Sequence, residues 1–355
     1  MNNLESLGYS RWFREQEDPD KMQTMQIVRV LSVNKNSYVV SAGGEEIYAE
    51  LTGKFLFNSE SSLDLPAAGD WVYAQLFDDD TFAVIHDILP RKTILKRKTA
   101  GRKIDYQVIA ANIDTAIIMQ SLDVNYNLRR LERYMVMVNE SAITPLIFLS
   151  KSDLQNQAEI EKKMEEINTL MPGIKIVSFS NNISEDIEMV KSFLEPHATY
   201  CLLGSSGVGK TTLLNNLIHH HIYKTQPIRE KDGRGRHTTT RRELILLDNG
   251  AIFIDTPGMR EIGIISAEAG LDSTFSEIME LQENCRYIDC THTVEQGCAV
   301  INAVDKGELS KDRYDNYIKM HKESVYNEMS YYEKRQKDKK FGKFMHNYNK
   351  NKNKL

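Results

Sequence analysis

The sequence predicts a multi-domain protein in which an all-β barrel is followed by an α/β domain and then by a helical segment. From about Met25 to Leu89, short alternating runs such as QIVRVLSV and DWVYAQL are separated by Gly, Asn, Asp and Pro, which suits a small antiparallel barrel. From near Asp105, apolar runs such as TAIIMQ and TPLIFLS alternate with amphipathic stretches, the rhythm of a mostly parallel sheet covered by helices. After about Gly263, helical patterns surround a cysteine-rich loop.

These transitions divide the chain into three expected domains. We place a barrel at residues 1–98, an α/β domain at 99–264, and a helical domain with a basic tail at 265–355. A chain of 355 residues exceeds the usual size of a single domain, so its length agrees with this division.

Composition restricts the class of protein. Hydrophobic residues make up 41% of the chain, and no stretch approaches the roughly 20 apolar residues that a bilayer crossing needs. The first residues mix acids with bases and lack the apolar run of a secretory signal. We therefore expect a cytoplasmic protein with no membrane partner. We also expect the chain to be a monomer.

A glycine-rich motif, GSSGVGKT, satisfies G-x-x-x-x-G-K-[ST] between an apolar strand and a helical run. Glycines let backbone N–H groups surround phosphate oxygens, Lys210 neutralises phosphate charge, and Thr211 can bind magnesium. The alternative is an ordinary glycine-rich turn, which the strand-to-helix setting disfavours. The expected phosphate-binding residues are Gly204, Ser205, Ser206, Gly207, Val208, Gly209, Lys210, Thr211 and Thr212.

A second motif, Asp255-Thr256-Pro257-Gly258, follows the apolar run AIFI about 45 residues beyond the phosphate loop. Asp255 can hold a magnesium-bound water and Gly258 can offer its N–H to a terminal phosphate, although D-T-P-G alone also suits an ordinary turn. Between the two motifs, the run GRGRHTTT has the glycines, positive charge and hydroxyls that a switch loop needs. Its candidate magnesium ligands are Thr238 and Thr239.

A base-reading motif lies before the phosphate loop rather than after it. Ser150-Lys151-Ser152-Asp153 resembles the guanine motif N-K-x-D but precedes Gly204 by about 50 residues, so the motif order is permuted. Asp153 can accept hydrogen bonds from N1–H and the exocyclic amine of guanine, a donor pair that adenine lacks, and the stem of Lys151 can cover the base. The expected guanine-binding residues are Ser150, Lys151, Ser152 and Asp153, with Ser178 from a second strand-end turn.

A metal motif lies in the C-terminal region. Cys285, Cys290, His292 and Cys298 form C-x4-C-x-H-x5-C, four ligands that can close a tetrahedral zinc site. Because this set leaves no position for water, we expect structural zinc rather than a catalytic metal. Buried cysteines without a metal would leave the close spacing unexplained. Cys201, on an apolar strand, is expected to belong to the core.

The C-terminal segment is basic. Residues 334–354 hold nine Lys or Arg residues against one acid, and aromatic residues such as Phe341 and Phe344 lie among them. Aromatic rings can stack on RNA bases while lysines contact phosphates, so this tail is a candidate RNA contact. A solubilising end without a partner is the alternative.

With these motifs, the chain resembles the RsgA (YjeQ) family of circularly permuted, ribosome-dependent GTPases. The resemblance covers nearly the whole chain and rests on QVIAANIDT, SLDVNYNLRRLERY, GSSGVGKTTLLN, GRGRHTTT, DTPGMRE and NCRYIDCTHTVEQGCAV. It implies an OB-type barrel, a permuted P-loop GTPase domain that uses magnesium, and a helical domain that contains zinc. It also implies binding of GTP and GDP, of the 30S ribosomal subunit and of its 16S rRNA, and a role in late maturation of that subunit.

Two positions bear on nucleotide binding and catalysis. The family usually has Asn where this chain has Ser150, and because serine is shorter with a single donor, we expect weaker nucleotide binding without loss of guanine choice. Met259 follows D-T-P-G, where other GTPases often have Gln, and its thioether cannot orient a water molecule. His237 in the switch run is the candidate catalytic residue, unless it is a solvated loop histidine.

The permuted order places Asp255 and Gly258 at the end of the nucleotide domain, shortly before the zinc motif in sequence. We therefore expect a GTP-gated assembly factor, whose barrel and zinc domain hold ribosomal RNA until hydrolysis releases them. Two alternatives remain open: a nucleotide-gated RNA-binding protein with negligible turnover, and a kinase or metabolic ATPase. Asp153 disfavours ATP.

Overall fold

The computed structural model describes residues 4–34, 37–98, 106–218, 242–255, 267–330, 332–336 and 339. Two compact units divide the chain: Met1–Lys96 with Val108–Ile262, and Arg97–Gln107 with Gly263–Leu355. The first unit contains both the expected barrel and the expected α/β domain, and the domain boundaries given by the sequence stay predictions. Among the described residues, no helix combines the length and apolar character that a membrane crossing needs.

The strands and helices of the described residues have the following bounds. The strands are β1 (Gln26–Val33), β2 (Tyr38–Ser41), β3 (Ile47–Leu51), β4 (Trp71–Phe77), β5 (Phe82–Ile88), β6 (Ile94–Lys98), β7 (Tyr106–Ala111), β8 (Thr115–Ser121), β9 (Thr144–Ser150), β10 (Ile176–Phe179), β11 (Thr199–Leu203), β12 (Arg242–Leu246) and β13 (Ile252–Asp255). The helices are α1 (Arg11–Arg14), α2 (Gly53–Asn58), α3 (Leu128–Glu140), α4 (Gln157–Leu170), α5 (Ser184–Ser192), α6 (Lys210–Ile218), α7 (Glu268–Thr274), α8 (Ser276–Gln282), α9 (Ala299–Asp305) and α10 (Lys311–Glu328).

Strands β1 to β5 close into a barrel. β1 pairs antiparallel with both β2 and β4, β2 pairs with β3, and β5 lies between β3 and β4. Side chains alternate between the barrel core and its surface. Along β3, for example, Ile47 and Ala49 are buried whereas Tyr48 and Glu50 are exposed. The predicted N-terminal barrel is therefore confirmed.

One strand pair corrects the expectation of a purely antiparallel barrel. β3 and β5 run parallel, with Tyr48 opposite Phe82 and Leu51 opposite Ile85. The chain leaves β3 through α2 and residues 59–70 and enters β4, and the β4–β5 hairpin then lays β5 beside β3. Because β4 runs antiparallel to β5, the whole segment between β3 and β5, which includes β4, serves as the long connection that a parallel pair needs and that a tight hairpin cannot supply.

Five parallel strands form the centre of the α/β domain, in the order β10-β9-β8-β11-β13. Their side chains are almost wholly buried because helices cover both faces of the sheet. On one face, Leu131 of α3 and Ile167 of α4 join an apolar cluster. On the other face, Val190 of α5 and Leu213 of α6 join a second cluster. The predicted α/β domain is confirmed.

The sheet continues from the α/β domain into the barrel. β12 pairs antiparallel with β13 on one side and with β1 on the other, so that Glu243 lies opposite both Asp255 and Ser32. Arg29 of β1 adds a buried contact, because its Nη2 donates to the Thr199 hydroxyl at 2.8 Å, where β11 begins. Burial lowers the pKa of Arg29 to about 10. Because this value is still well above 7, the guanidinium remains charged at neutral pH.

Helices α7 to α10 form most of the second unit. The ring of Phe275 lies 5.4 Å from the ring of Tyr317 and 4.5 Å from the guanidinium of Arg313. Arg313 is buried on α10, and it donates to the carbonyl oxygen of Thr274 at 2.8 Å and to a carboxylate oxygen of Glu277 at 3.1 Å. These contacts join α10 to α7 and α8, in agreement with the predicted helical C-terminal domain.

Two neighbouring cations show how burial changes the contribution of an ion pair. Arg91 donates from Nε and Nη2 to the two carboxylate oxygens of Asp70, at 2.8 and 2.7 Å, and Asp70 is fully buried. Lys92 lies 3.0 Å from Asp114, and both of these side chains are exposed. The first pair has exchanged water for protein contacts, whereas the second keeps much of its contact with water, with side-chain exposures of 45% and 37%.

Replacing Arg91 with Met leaves the carboxylate of Asp70 buried without its charged partner, so we expect the free energy of unfolding to fall by about 3–5 kcal/mol. Lys92→Met should lower it by less than about 1 kcal/mol. Both tryptophans, Trp12 and Trp71, belong to this unit, so tryptophan fluorescence during denaturant unfolding measures the effect. Equal losses in the two variants would contradict the argument from burial.

Candidate nucleotide site and metal cluster

The carboxyl ends of the five parallel strands lie at one edge of the sheet. These ends are Ser121 of β8, Ser150 of β9, Phe179 of β10, Leu203 of β11 and Asp255 of β13. Chain order runs outward from β8 to β10 on one side and from β11 to β13 on the other, so β8 and β11 flank a topological switch point. Ligands of open α/β sheets bind at such a point. The sheet therefore brings the phosphate loop and the permuted base motif to one edge.

The glycine-rich loop turns from β11 into α6 with a backbone that requires glycine. Gly204 has a φ of 148°, and a Cβ at this position would lie 2.5 Å from the carbonyl oxygen of Met119. Lys210 opens α6 and donates from Nζ to the carbonyl oxygens of Gly204 and Ser205, at 2.6 and 2.8 Å. Its ammonium group therefore lies against the loop, from where it can neutralise a bound phosphate.

Ser150 connects the base motif to the phosphate loop. It is fully buried at the end of β9, and its hydroxyl donates to the carbonyl oxygen of Val208 at 2.7 Å. Asparagine has two N–H donors at its amide, whereas serine has a single donor, which it uses for this bond. The connection between the two motifs is therefore present with serine. The expectation of weaker nucleotide binding stays a prediction.

Lys151 is held by a carboxylate that the sequence analysis missed. Its Nζ lies 2.7 Å from Oδ2 of Asp123, which follows β8. Burial raises the pKa of Asp123, but hydrogen bonds from Lys151, the Asn125 backbone and the Ser121 hydroxyl outweigh it and hold the pKa at about 2. The carboxylate of Asp123 therefore stays ionised at neutral pH. The sequence does contain a hint of this role, because Asp123 directly follows the strand-like run TAIIMQSL, and the carboxyl ends of such strands carry the other motifs.

The loop after β10 approaches both motifs. Asn182 donates from Nδ2 to the carboxylate of Asp153 at 3.4 Å, and Asp153 is exposed. Asn181 donates from Nδ2 to the carbonyl oxygen of Gly209 at 3.3 Å. Ser178, by contrast, lies inside β10, where it pairs with Leu149. Asn181 and Asn182 were not predicted as site residues because the sequence does not show at which residue β10 ends. A guanine contact from Ser178 stays a prediction.

The predicted magnesium ligands are only partly described. Thr212, which is predicted to bind the nucleotide, is partly buried in the first turn of α6. Thr211 lies beside it, and Asp255, which is predicted to hold a magnesium-bound water, ends β13 beside β11; both are partly buried. A hydroxyl and a carboxylate are the oxygen ligands that magnesium takes, so these residues fit that ion. The predicted residues that lie outside the described part of the chain are His237, Thr238, Thr239 and Gly258.

The cysteine motif forms a compact cluster. The ligand atoms of Cys285, Cys290, His292 and Cys298 all lie within 4.8 Å of one another. The sulfur atoms of Cys285 and Cys298 are 3.9 Å apart, and Nδ1 of His292 lies 3.4 Å from the latter. A tetrahedron with Zn–S bonds of about 2.3 Å has sulfur–sulfur edges of about 3.8 Å, so the spacing fits a tetrahedral metal. The cluster can hold a metal ion, and zinc as its identity stays a prediction.

Gln282 orients the histidine of this cluster. Its Oε1 lies 2.8 Å from Nε2 of His292, so Nε2–H donates to the glutamine and Nδ1 faces the thiols. Backbone N–H groups of Ala299 and Ile301 donate to the sulfur atoms of Cys285 and Cys298, at 3.3 and 3.4 Å. Such donors favour the thiolate that a metal binds. Gln282 was not among the predicted residues, because it precedes the motif and is not itself a ligand.

Comparisons with known proteins agree with this geometry. The family model described as RsgA GTPase matches residues 88–265. A relative named Small ribosomal subunit biogenesis GTPase RsgA 2, from Listeria monocytogenes serotype 4b (strain F2365), is 40% identical over 91% of this chain and 90% of its own. The crystal structure of YjeQ from Thermotoga maritima is 27% identical, with a TM-score of 0.62, over 85% of this chain and 99% of that chain. The structure of YloQ, described as a circularly permuted GTPase, is 25% identical, with a TM-score of 0.58, over 83% and 93%.

Replacing Asp123 with Asn removes the charge that holds Lys151. We expect the dissociation constants of GTP and GDP to rise about five- to tenfold, because such a hydrogen bond contributes about 1–1.5 kcal/mol, while kcat changes little. Titration calorimetry measures the affinities. Asp114→Asn is the matched control, since Asp114 pairs with Lys92 at the opposite end of β8. Unchanged affinities in Asp123→Asn would remove Asp123 from nucleotide binding.

The metal cluster is tested by elemental analysis of the purified chain, for which we expect about one zinc ion per molecule. Cys298→Ser should lose the metal, and Gln282→Leu should keep it with an affinity about 10- to 100-fold lower in a chelator competition. Cys201→Ala, which changes a buried cysteine outside the cluster, should retain full metal content. Retention of zinc by Cys298→Ser would show that the cluster is not the binding site.

Proposed function

Since the chain belongs to the RsgA GTPase family and is accordingly a GTP hydrolase, we propose that it acts in late maturation of the small, 30S ribosomal subunit. The observation that carries this proposal is the match, across nearly the whole chain, to a relative named for small ribosomal subunit biogenesis. The proposed cycle is binding to the subunit with GTP, hydrolysis to GDP and release.

In the proposed phosphate site, N–H groups of the glycine-rich loop surround the phosphates and Lys210 neutralises their charge. The contacts of Lys210 with the loop carbonyls support this role. Thr211 would bind magnesium and Asp255 would hold a magnesium-bound water, with Thr238 or Thr239 as a further ligand, and the ion would supply additional neutralisation of phosphate charge. Gly258 would donate its N–H to the terminal phosphate.

In the proposed base site, Asp153 accepts hydrogen bonds from N1–H and the amine of guanine, while the stem of Lys151 lies along the base. Three contacts support this assignment, because each one restricts a residue of the base motif. These are Ser150 with Val208, Lys151 with Asp123, and Asp153 with Asn182. A rigid base motif loses less conformational entropy when the nucleotide binds.

For hydrolysis, we propose that His237 positions the attacking water. Met259 stands where other GTPases often have Gln, and a thioether offers no N–H to that water. An imidazole can align or polarise a water molecule, and the switch run that carries His237 also carries the threonines proposed to bind magnesium. The presence of the terminal phosphate would thus be linked to the position of the catalytic group.

The proposed partner is the 30S subunit, with its 16S rRNA as the main ligand of the basic tail. Nine Lys or Arg residues against one acid in residues 334–354 attract RNA phosphates, and release of counterions makes such binding dependent on salt. We propose that the chain acts as a monomer in the cytoplasm. GTP gating then requires that the subunit bind one nucleotide state of the chain better than the other.

GTP turnover by the full chain, measured with and without purified 30S subunits, tests this function. We expect subunits to raise kcat at least about tenfold, and a non-hydrolysable GTP analogue to tighten subunit binding about tenfold relative to GDP. His237→Ala should lose most of the stimulation with nucleotide affinity retained, whereas His86→Ala in the barrel should not. A rate that subunits leave unchanged would contradict the proposed partner, and equal affinities would contradict gating. Negligible turnover even with subunits would favour a nucleotide-gated RNA-binding protein.

A further inference from the structure

Three aromatic side chains form a row on the outer surface of the barrel. Tyr48 of β3 lies opposite Phe82 of β5, and Phe82 lies opposite Phe77 of β4. The ring centroids of Tyr48 and Phe82 are 6.0 Å apart, and those of Phe82 and Phe77 are 6.4 Å apart. We call these three residues the aromatic platform. The platform crosses three adjacent strands, so its rings form one continuous surface.

The platform faces away from the barrel core. Its neighbours along the strands, Ala49 and Ala83, belong to the buried cluster inside the barrel, and successive residues of a strand point to opposite faces. Tyr48 is 47% exposed and Phe77 is 45% exposed. Single exposed apolar residues are common, but a contiguous aromatic patch on a sheet is typical of a binding surface. Rings arranged in this way can stack on flat groups of a partner.

The charge around the platform is negative. Residues 37–53 and 71–86, which contain strands β2 to β4 and most of β5, hold six acidic residues and no Lys or Arg. The acidic residues are Glu45, Glu46, Glu50, Asp78, Asp79 and Asp80. The three aspartates form the exposed turn between Phe77 and Phe82, and Glu50 accepts a hydrogen bond from the Tyr48 hydroxyl at 2.9 Å. Carboxylates therefore border the aromatic rings on two sides.

The negative charge around the platform decides between RNA and a basic polypeptide as its partner. An RNA strand would bring its phosphates against six carboxylates, and like charges at close range repel. A guanidinium or ammonium group has the opposite preference, because either cation is attracted to the face of an aromatic ring and pairs with carboxylates at the same time. We propose that the aromatic platform and its acidic border dock an arginine- and lysine-rich polypeptide segment of a protein partner. This goes beyond the proposed function, in which RNA is the ligand of the basic tail. It also differs, for this face of the barrel, from the expectation that the barrel holds ribosomal RNA, because the face is bordered by acidic residues.

The test compares binding of a fluorescent peptide of repeating arginine and glycine with binding of a fluorescent oligouridylate, each to the full chain, by anisotropy. Tyr48→Ser with Phe77→Ser should weaken peptide binding at least about tenfold, because two cation–π contacts are lost, and should leave oligouridylate binding unchanged. Phe57→Ser is the matched control, since Phe57 is 90% exposed on α2, outside these strands, and this variant should bind the peptide normally.

A second variant, Asp79→Asn with Asp80→Asn, keeps the aromatic rings and removes two charges. It should weaken peptide binding several-fold and reduce its dependence on salt. GTP turnover of every variant serves as the check on folding, because no platform residue lies in the nucleotide site. Peptide binding that neither variant changes would overturn the proposal. Loss of oligouridylate binding in the serine variant would overturn it as well, because the platform would then be an RNA surface.

Discussion

The parallel pairing of β11 with β8 on one side and β13 on the other is the constraint on which the nucleotide site depends. It aligns three carboxyl ends at one edge of the sheet, and β9 and β10 add two more in the same direction. Because loops at the ends of parallel strands converge, segments far apart in the chain meet there. A permuted motif order is compatible with this arrangement, since strand position in the sheet, rather than order in the chain, decides which loops are neighbours.

At that edge of the sheet, the strands bring several loops close together, and single hydrogen bonds then fix the positions of these loops relative to one another. Ser150 donates to the phosphate loop from β9, Asn181 donates to it from the end of β10, and Asp123 holds Lys151 from the end of β8. Each bond joins the end of one strand, or the loop after it, to a loop that follows a different strand. A change in one of these loops therefore alters the position of its neighbours, which makes the base motif and the phosphate loop parts of one polar network.

The barrel is connected to the same sheet rather than attached by a linker. β12 shares hydrogen bonds with both β13 and β1, and Arg29 reaches from β1 to the first residue of β11. The barrel nevertheless presents a surface of its own, where aromatic rings lie among carboxylates. Its charge is opposite to that of residues 334–354, so the two regions suit chemically different partners. This contrast is consistent with a protein that works on a ribonucleoprotein particle, whose surface offers both RNA and basic protein.

The sequence by itself determined the features that depend on residues close together in the chain. Alternating runs predicted the barrel strands, the G-x-x-x-x-G-K-[ST] spacing predicted the loop before Lys210, and C-x4-C-x-H-x5-C predicted the metal cluster. In each case the chemistry needs a fixed local spacing, which a sequence records directly. The position of the base motif, Ser150 to Asp153, before the phosphate loop could be predicted for the same reason.

Only the tertiary structure decided the features that depend on distant segments. The parallel direction of β3 and β5, the pairing of β12 with β1, and the contacts of Asp123, Asn181 and Gln282 leave no periodic pattern in the sequence. A strand shows its buried face through alternation but not its direction or its neighbour. Likewise, Asp123 and Gln282 each have a role because of one hydrogen bond to a residue elsewhere in the fold. That bond exists only in the folded chain, so the sequence does not reveal the role.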